Sequence, residues 1–150
     1  MKRLDVSEAS ETLGVHLSPD DNDRVQRQKL REQCEIFGDQ VRTSKFEPNT
    51  AIYVFNSCLM ASIRYCLPVT NFSEKDWDYI LAPAKKRVIQ KPEMASNFPN
   101  EALYGSQTYD GYLFQYPYTN QGIEKIATLI QETVDNTQTG GLISATAEGF

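Results

Sequence analysis

Leu13, Val15 and Leu17 alternate with Gly14, His16 and Ser18, the period of two that marks a half-buried strand. Ser18-Pro19-Asp20-Asp21 stops the alternation and reads as a helix start, with Ser at the cap, Pro at the first helical position and acids in the first turn. The long helix that follows carries Leu30, Cys34, Phe37 and Val41 as one apolar stripe and runs to about residue 44, where Arg42 and Lys45 suit the negative end of the helix dipole. Pro48 opens a second helix to Leu67, nearly apolar all round and therefore central to the core, and Pro68 stops it. Ser73 caps a third helix, Asp76 completes a capping box, and Phe72 is placed to staple onto Trp77. Trp77, Ile80, Leu81, Ala84 and Val88 line one face of that helix, and Pro83 predicts a kink or break in it.

Residues 90 to 118 lose the helical period and gain Pro92, Pro99, Gly105, Gly111 and Pro117. Asp110-Gly111 is a candidate two-residue hairpin turn within this irregular part. Thr119 or Asn120 caps a last helix with Ile123, Ile126, Ala127, Ile130 and Val134 in one stripe, and the tail to Phe150 reads as frayed. The pattern predicts a mainly α fold with a short N-terminal strand and a small β-hairpin. As one domain it divides into a strand over 11–18, three helices over 19–90, an irregular aromatic segment over 91–118, and a closing helix and tail over 119–150.

A length of 150 residues allows one core and not two. The 15 basic against 20 acidic side chains give a net charge of −5, which argues against a free-standing, non-specific nucleic-acid binder. With His16 as the one histidine, any Ser-His-Asp or Cys-His mechanism must pass through it, and a multi-histidine metal site is excluded. Cys34, Cys58 and Cys66 are odd in number and lack paired Cys-x-x-Cys spacing, so they read as reduced core residues of an intracellular protein, cytoplasmic or nuclear. Met1-Lys2-Arg3-Leu4-Asp5 has no apolar run behind its basic residues and does not read as a signal peptide. The most apolar stretch, Ala51 to Leu67, carries Asn56, Ser57, Ser62 and Arg64 and falls short of the roughly 20 apolar residues of a bilayer span.

Several short motifs recur in a definite order: Thr12-Leu13-Gly14-Val15-His16-Leu17-Ser18-Pro19-Asp20, Tyr65-Cys66-Leu67-Pro68-Val69-Thr70, Tyr104-Gly105, and Tyr118-Thr119-Asn120-Gln121-Gly122-Ile123. From about residue 11 to about residue 148 the series resembles the region after the catalytic palm in reverse transcriptases of non-LTR (LINE-like) retrotransposons. The resemblance implies a helical thumb and connection, with the Leu13-Gly14-Val15 strand beside a primer end. Where such sequences carry a Gly-Pro step and a Gly-x-Gly segment, this chain has Gly105-Ser106-Gln107 and Asp110-Gly111-Tyr112-Leu113-Phe114. The Tyr-x-Asp-Asp strand and the upstream Asp that would hold two metal ions are not in this sequence, and Tyr109-Asp110-Gly111 does not replace them. The resemblance therefore implies part of an RNA-directed DNA polymerase without activity of its own.

Arg24, Arg27 and Arg31 fall on one strip of the first long helix, where a thumb helix would meet phosphates. The plainer reading is a solvated flank paired with Asp23, Glu35 and other helix acids, and the acidic composition favours it. Leu13 and Gly14 would shape the primer-side strand, and His16, on the face opposite Leu13, would touch sugar or phosphate unless it is an ordinary hydrogen-bonded histidine. Lys85-Lys86-Arg87, with Lys91 after it, is the one dense basic run, but consecutive helical positions point about 100° apart and do not share a face. Tyr112, Phe114, Tyr116 and Tyr118 alternate, so in an extended segment they would form one aromatic face, for stacking on bases or for closing the core. No carboxylate pair, phosphate loop or cofactor motif is present.

Two functions are in view. One is a thumb and connection fragment making non-catalytic contacts to an RNA/DNA template-primer duplex, beside a palm domain that this sequence lacks. The other is a retroelement remnant, decayed or repurposed, acting as a protein interaction module. A thumb cut from its palm would expose apolar surface on the Leu13 strand and the second helix and would tend to self-associate.

Overall fold

The computed structural model describes residues 10–12, 14–17, 23–91, 99–106, 108, 111–135, 138, 140–142 and 145. The chain is mainly helical, as expected. The N-terminal strand is one arm of a small antiparallel hairpin, β1 (Ser10–Thr12) and β2 (Val15–Leu17), paired Ser10 with Leu17 and Thr12 with Val15. Gly14 occupies the turn with φ +82°, a left-handed conformation that costs glycine little. Val15 drops into the core.

Helix α1 (Arg24–Thr43) buries Gln26, Leu30, Cys34, Gly38 and Val41. Asp23 stands at its N-cap without a side-chain cap bond, and its carboxylate accepts from the Asn71 amide instead (3.0 Å). The expected cap at Ser18 and the Pro19 position lie outside the described residues.

The expected second helix is three pieces in one path: α2 (Pro48–Val54), a π-helical turn (Phe55–Leu59) and α3 (Met60–Arg64). In the π turn the Met60 amide reaches back five residues to the Phe55 carbonyl, which inserts one extra residue into the path. Ala51, Ile52, Phe55, Leu59, Met60 and Ile63 face inward. The path is not apolar all round, because Tyr53, Ser57, Ala61 and Arg64 recur at helical spacing on an exposed side. Cys58 is exposed there too, so of the three cysteines only Cys34 and Cys66 are core residues. Burial pushes their thiols up, to about 12 and about 11, which makes them inert.

Helix α4 (Glu74–Gln90) begins as its sequence predicts. Ser73 accepts from the Asp76 amide, Asp76 accepts from the Ser73 amide, and Phe72 meets Trp77 edge-on with ring centroids 5.1 Å apart. The predicted break at Pro83 does not occur, and α4 runs through it. A proline in a helix interior leaves the carbonyl four residues back without its amide partner. Here that carbonyl belongs to Tyr79, and Arg31 of α1 donates to it at 2.5 Å while its guanidinium lies 4.1 Å over the Tyr79 ring. Two helical turns further along, α1 presents Gly38 to Pro83. A Cβ there would stand 3.1 Å from the Pro83 carbonyl oxygen, so the glycine permits the close approach of the two helices. The α1–α4 seam is the main long-range contact of the fold.

After α4 the described chain resumes at Pro99, and α5 (Asn100–Tyr104) is a single short turn. The Asp110 half of the expected Asp110-Gly111 turn lies outside the described residues; residues 111–116 form no regular element, and their amides are used against α5. Those of Tyr112, Phe114 and Leu113 donate to the carbonyls of Ala102, Leu103 and Gly105, covering groups that α5 leaves open at its end. Leu113 has φ +54°, which breaks the alternation of the aromatics. Phe114 packs on Phe55 at 4.8 Å and Tyr116 on Tyr104 at 4.6 Å, while Tyr118 already belongs to the next helix and is exposed. The aromatic segment thus mostly closes the core.

Helix α6 (Pro117–Val134) starts at Pro117, earlier than Thr119 or Asn120, because a proline at the first position has its φ already set and needs no amide partner. Its buried residues are Pro117 and Gln121. The stripe of Ile123, Ile126, Ala127, Ile130 and Val134 faces out. Among the described residues α6 thus carries a continuous exposed aliphatic stripe, while of the hairpin's apolar residues Val15 is buried, and Leu13 and the Leu17 side chain are not among those described.

Arg31→Ala is expected to lower stability by about 1–2 kcal/mol, the sum of one lost hydrogen bond and an exposed cation–π contact. In a Pro83→Ala background, where residue 83 supplies its own amide to Tyr79, the same change should cost clearly less. Equal losses in the two backgrounds, by urea unfolding, would show that Arg31 does not serve the proline.

Candidate functional site

The six candidate residues separate onto different faces. Leu13 lies outside the described residues. Gly14 sits at the hairpin turn, and its carbonyl accepts from the Tyr65 hydroxyl at 3.2 Å. The His16 amide donates to Gln26 Oε1 (2.9 Å), and its ring Nε2 lies 3.2 Å from Lys29 Nζ. Gln26 and Lys29 occupy a side of α1 well over 100° around the helix from Arg24 and Arg31. The strand residues and the arginines therefore do not converge.

Arg24 and Arg27, but not Arg31, line the near side of a cleft between the first turns of α1 and α4. The cleft has a volume of about 600 Å³ and is bounded by Arg24, Arg27, Gln28, Asp76 and Tyr79. Arg27 donates to Asp76 Oδ1 at 2.5 Å. Arg31 is held by the Tyr79 carbonyl and ring and by Glu35 at 3.2 Å. Two of the three guanidiniums thus brace α1 against α4, and Arg24 is the exposed one. The pairing with Glu35 follows the plainer sequence reading, whereas Arg27 and Arg31 each reach a partner on another helix that helical spacing alone does not reveal.

The basic run is dispersed. Lys85 donates to Asn100 Oδ1 at 2.5 Å and stands 5.3 Å from the Tyr104 ring centroid, and burial lowers its pKa. Arg87 bonds to Gln90, and Lys91 donates to the Ser44 carbonyl. Burial, with the Asp78 charge behind it, raises the Tyr104 phenol well above its ordinary value. No group of three or more His, Cys, Asp or Glu side chains among the described residues is placed to hold a metal ion. No described helix is long and apolar enough to cross a membrane.

The most distinctive surface is elsewhere. Gln121 is buried, accepts from Trp77 Nε1 at 3.3 Å and donates to the Phe72 carbonyl at 3.1 Å. Glu124 takes a two-pronged bond from Arg64, at 2.5 and 2.6 Å, and Lys125 donates to Asn71 at 3.0 Å. Helix α6 is therefore mounted on the domain by its polar side. Its outer side presents Ile123, Ile126, Leu129, Ile130 and Val134, between 49% and 75% exposed. The periodicity of that stripe was plain in the sequence, but nothing there told which way it faces, because the buried Gln121 that decides the matter reads as a surface residue. No family model matches the chain, and neither a curated protein nor a solved structure matches it.

The Ser73 hydroxyl, and after it the Arg27 guanidinium, hold the Asp76 carboxyl below its ordinary value of 3.8. A depressed carboxylate contributes stability that is fully present above its unfolded value and is lost as pH falls through the folded one. Asp76→Asn should therefore lower stability at neutral pH and flatten its fall below about pH 4, as read from urea midpoints across pH. Parallel profiles for the two proteins would rule out the linkage.

Proposed function

We propose that the chain is a non-catalytic helical interaction module that docks another protein surface through the outer face of α6. The observation that carries this is the reversed mounting of that helix, with its glutamine inside and its isoleucines outside. Soluble monomers rarely leave a contiguous apolar patch of more than a few hundred Å² uncovered. Five aliphatic side chains, each at about half exposure or more, leave roughly 1 kcal/mol apiece of hydrophobic stabilisation unrealised. All four charged residues of the helix and its C-cap, Glu124, Lys125, Glu132 and Asp135, lie on the other half of its circumference. The outer face is thus free of charge along its length. Expression of the reading is direct: the Ile126→Asp, Ile130→Asp double variant should keep its helical circular dichroism and lose most binding of a solvatochromic apolar dye. A wild-type chain that binds no more dye than the variant would mean that the face is covered, and the reading would fail.

The cleft at Arg24 favours a second reading, the template-primer contact implied by the resemblance to a reverse-transcriptase thumb, with a palm supplied by other sequence. Arg24 and Gln28 line the cleft on α1, and Tyr79 lies across from them. Arg27 and Arg31 would have to leave their present partners to join. In fluorescence anisotropy with an RNA/DNA primer-template, log affinity should fall against log salt, and Arg24→Ala should reduce the slope by about one phosphate's share, roughly 0.9. Absence of binding at low salt would end this reading for the isolated chain.

A further inference from the structure

We infer that the occupant of the α6 outer face is a second copy of this chain, its own α6 laid antiparallel across the first. The inference rests on the reading of α6 as an interaction face and goes on to name the partner. Three features of the face point to self-pairing.

The stripe is one helix wide. Ile123, Ile126, Ala127, Ile130 and Val134 fall within an arc of roughly 100° and extend for about 16 Å, the footprint that another helix of the same kind would cover. Buried area of that extent sits at the low end of protein interfaces, which suits a reversible pair of micromolar strength.

The rim carries no unpaired acid beside the stripe: Glu124, which shares a cleft with Ile123, is paired there with Arg64. Thr119, Asn120, Gln131 and Thr133 flank the stripe, while Glu124 and Lys125 are engaged with Arg64 and Asn71 on the docked side. For a chain of net charge −5, an acidic rim would set two copies against each other. Here the contact avoids that repulsion.

The stripe is complementary to its own reverse. A two-fold axis crossing midway between positions 128 and 129 sets Ile123 against Val134 and the small Ala127 against the large Ile130, twice over. A parallel alignment would instead oppose Ala127 to Ala127 and leave a gap beside the Ile130 pair. The antiparallel arrangement also sets the two helix dipoles head to tail.

Sedimentation equilibrium of the full chain from about 1 to 300 µM should show a mass rising from one copy to two, and Ile130→Asp should stay monomeric with unchanged circular dichroism. In a Cys58→Ser background, mixing an Ile123→Cys chain with a Val134→Cys chain should give the mixed disulfide on mild oxidation. Preferential Ile123→Cys homodisulfide would overturn the antiparallel register, and a dimer that survives Ile130→Asp would overturn the placement on α6. A wild-type chain that remains monomeric throughout but still binds the apolar dye would overturn self-pairing and leave the docking face standing. Monomer without dye binding would overturn both.

Discussion

Pro83 has no amide hydrogen to give the Tyr79 carbonyl, and much of the domain is arranged around how that acceptor is satisfied. Arg31 supplies the missing donor from a neighbouring helix, so the phase of α1 against α4 is set by a hydrogen bond as well as by packing. With Arg31 fixed, Arg27 comes to Asp76 and Gly38 comes to Pro83. Leu30, Cys34 and Val41 are then directed into the same core as Trp77, Ile80, Ala84 and Val88. A proline that would break an isolated helix is tolerated here because the partner helix completes it.

Around that seam, amides of glutamine and asparagine side chains fasten the outlying pieces. Gln26 accepts from the hairpin at His16, Asn56 donates to Leu113 and accepts from Gln115, and Gln121 ties α6 to Phe72 and Trp77. An amide can donate and accept at once, so it serves an irregular backbone as a neighbouring strand would. This is how a segment without a sheet to join, residues 111–116, is held against the helices. It also explains why α6 can sit with its apolar side outward: its attachment depends on directed polar bonds and needs little apolar contact.

The parts of the fold legible in the sequence were those decided by neighbours a few residues apart. The Ser73–Asp76 box, the Phe72–Trp77 staple, the apolar stripe of α4 and the Pro48 start all depend on local spacing. Features that depend on what lies across a gap were not legible. Continuity through Pro83 depends on Arg31, 52 positions earlier in the numbering; the exposure of Cys58 depends on the phase of the π turn; the direction of the α6 stripe depends on Trp77. The candidate arginines show both sides of this. Their shared strip on α1 was readable, but their partners on α4 were not, and those partners decide which guanidinium remains exposed.

The π turn between α2 and α3 has a wider consequence. Because it adds one residue to the helical path, everything after it is turned by about 100° relative to an unbroken α-helix. That rotation aims Ile63 inward and Arg64 toward Glu124. The chain is thus sensitive to length at this point in a way that it is not sensitive to composition: exchange of one apolar residue for another between 55 and 59 preserves the phase, whereas loss of a single residue would unthread α3 from α6 while leaving every individual side chain acceptable where it stood.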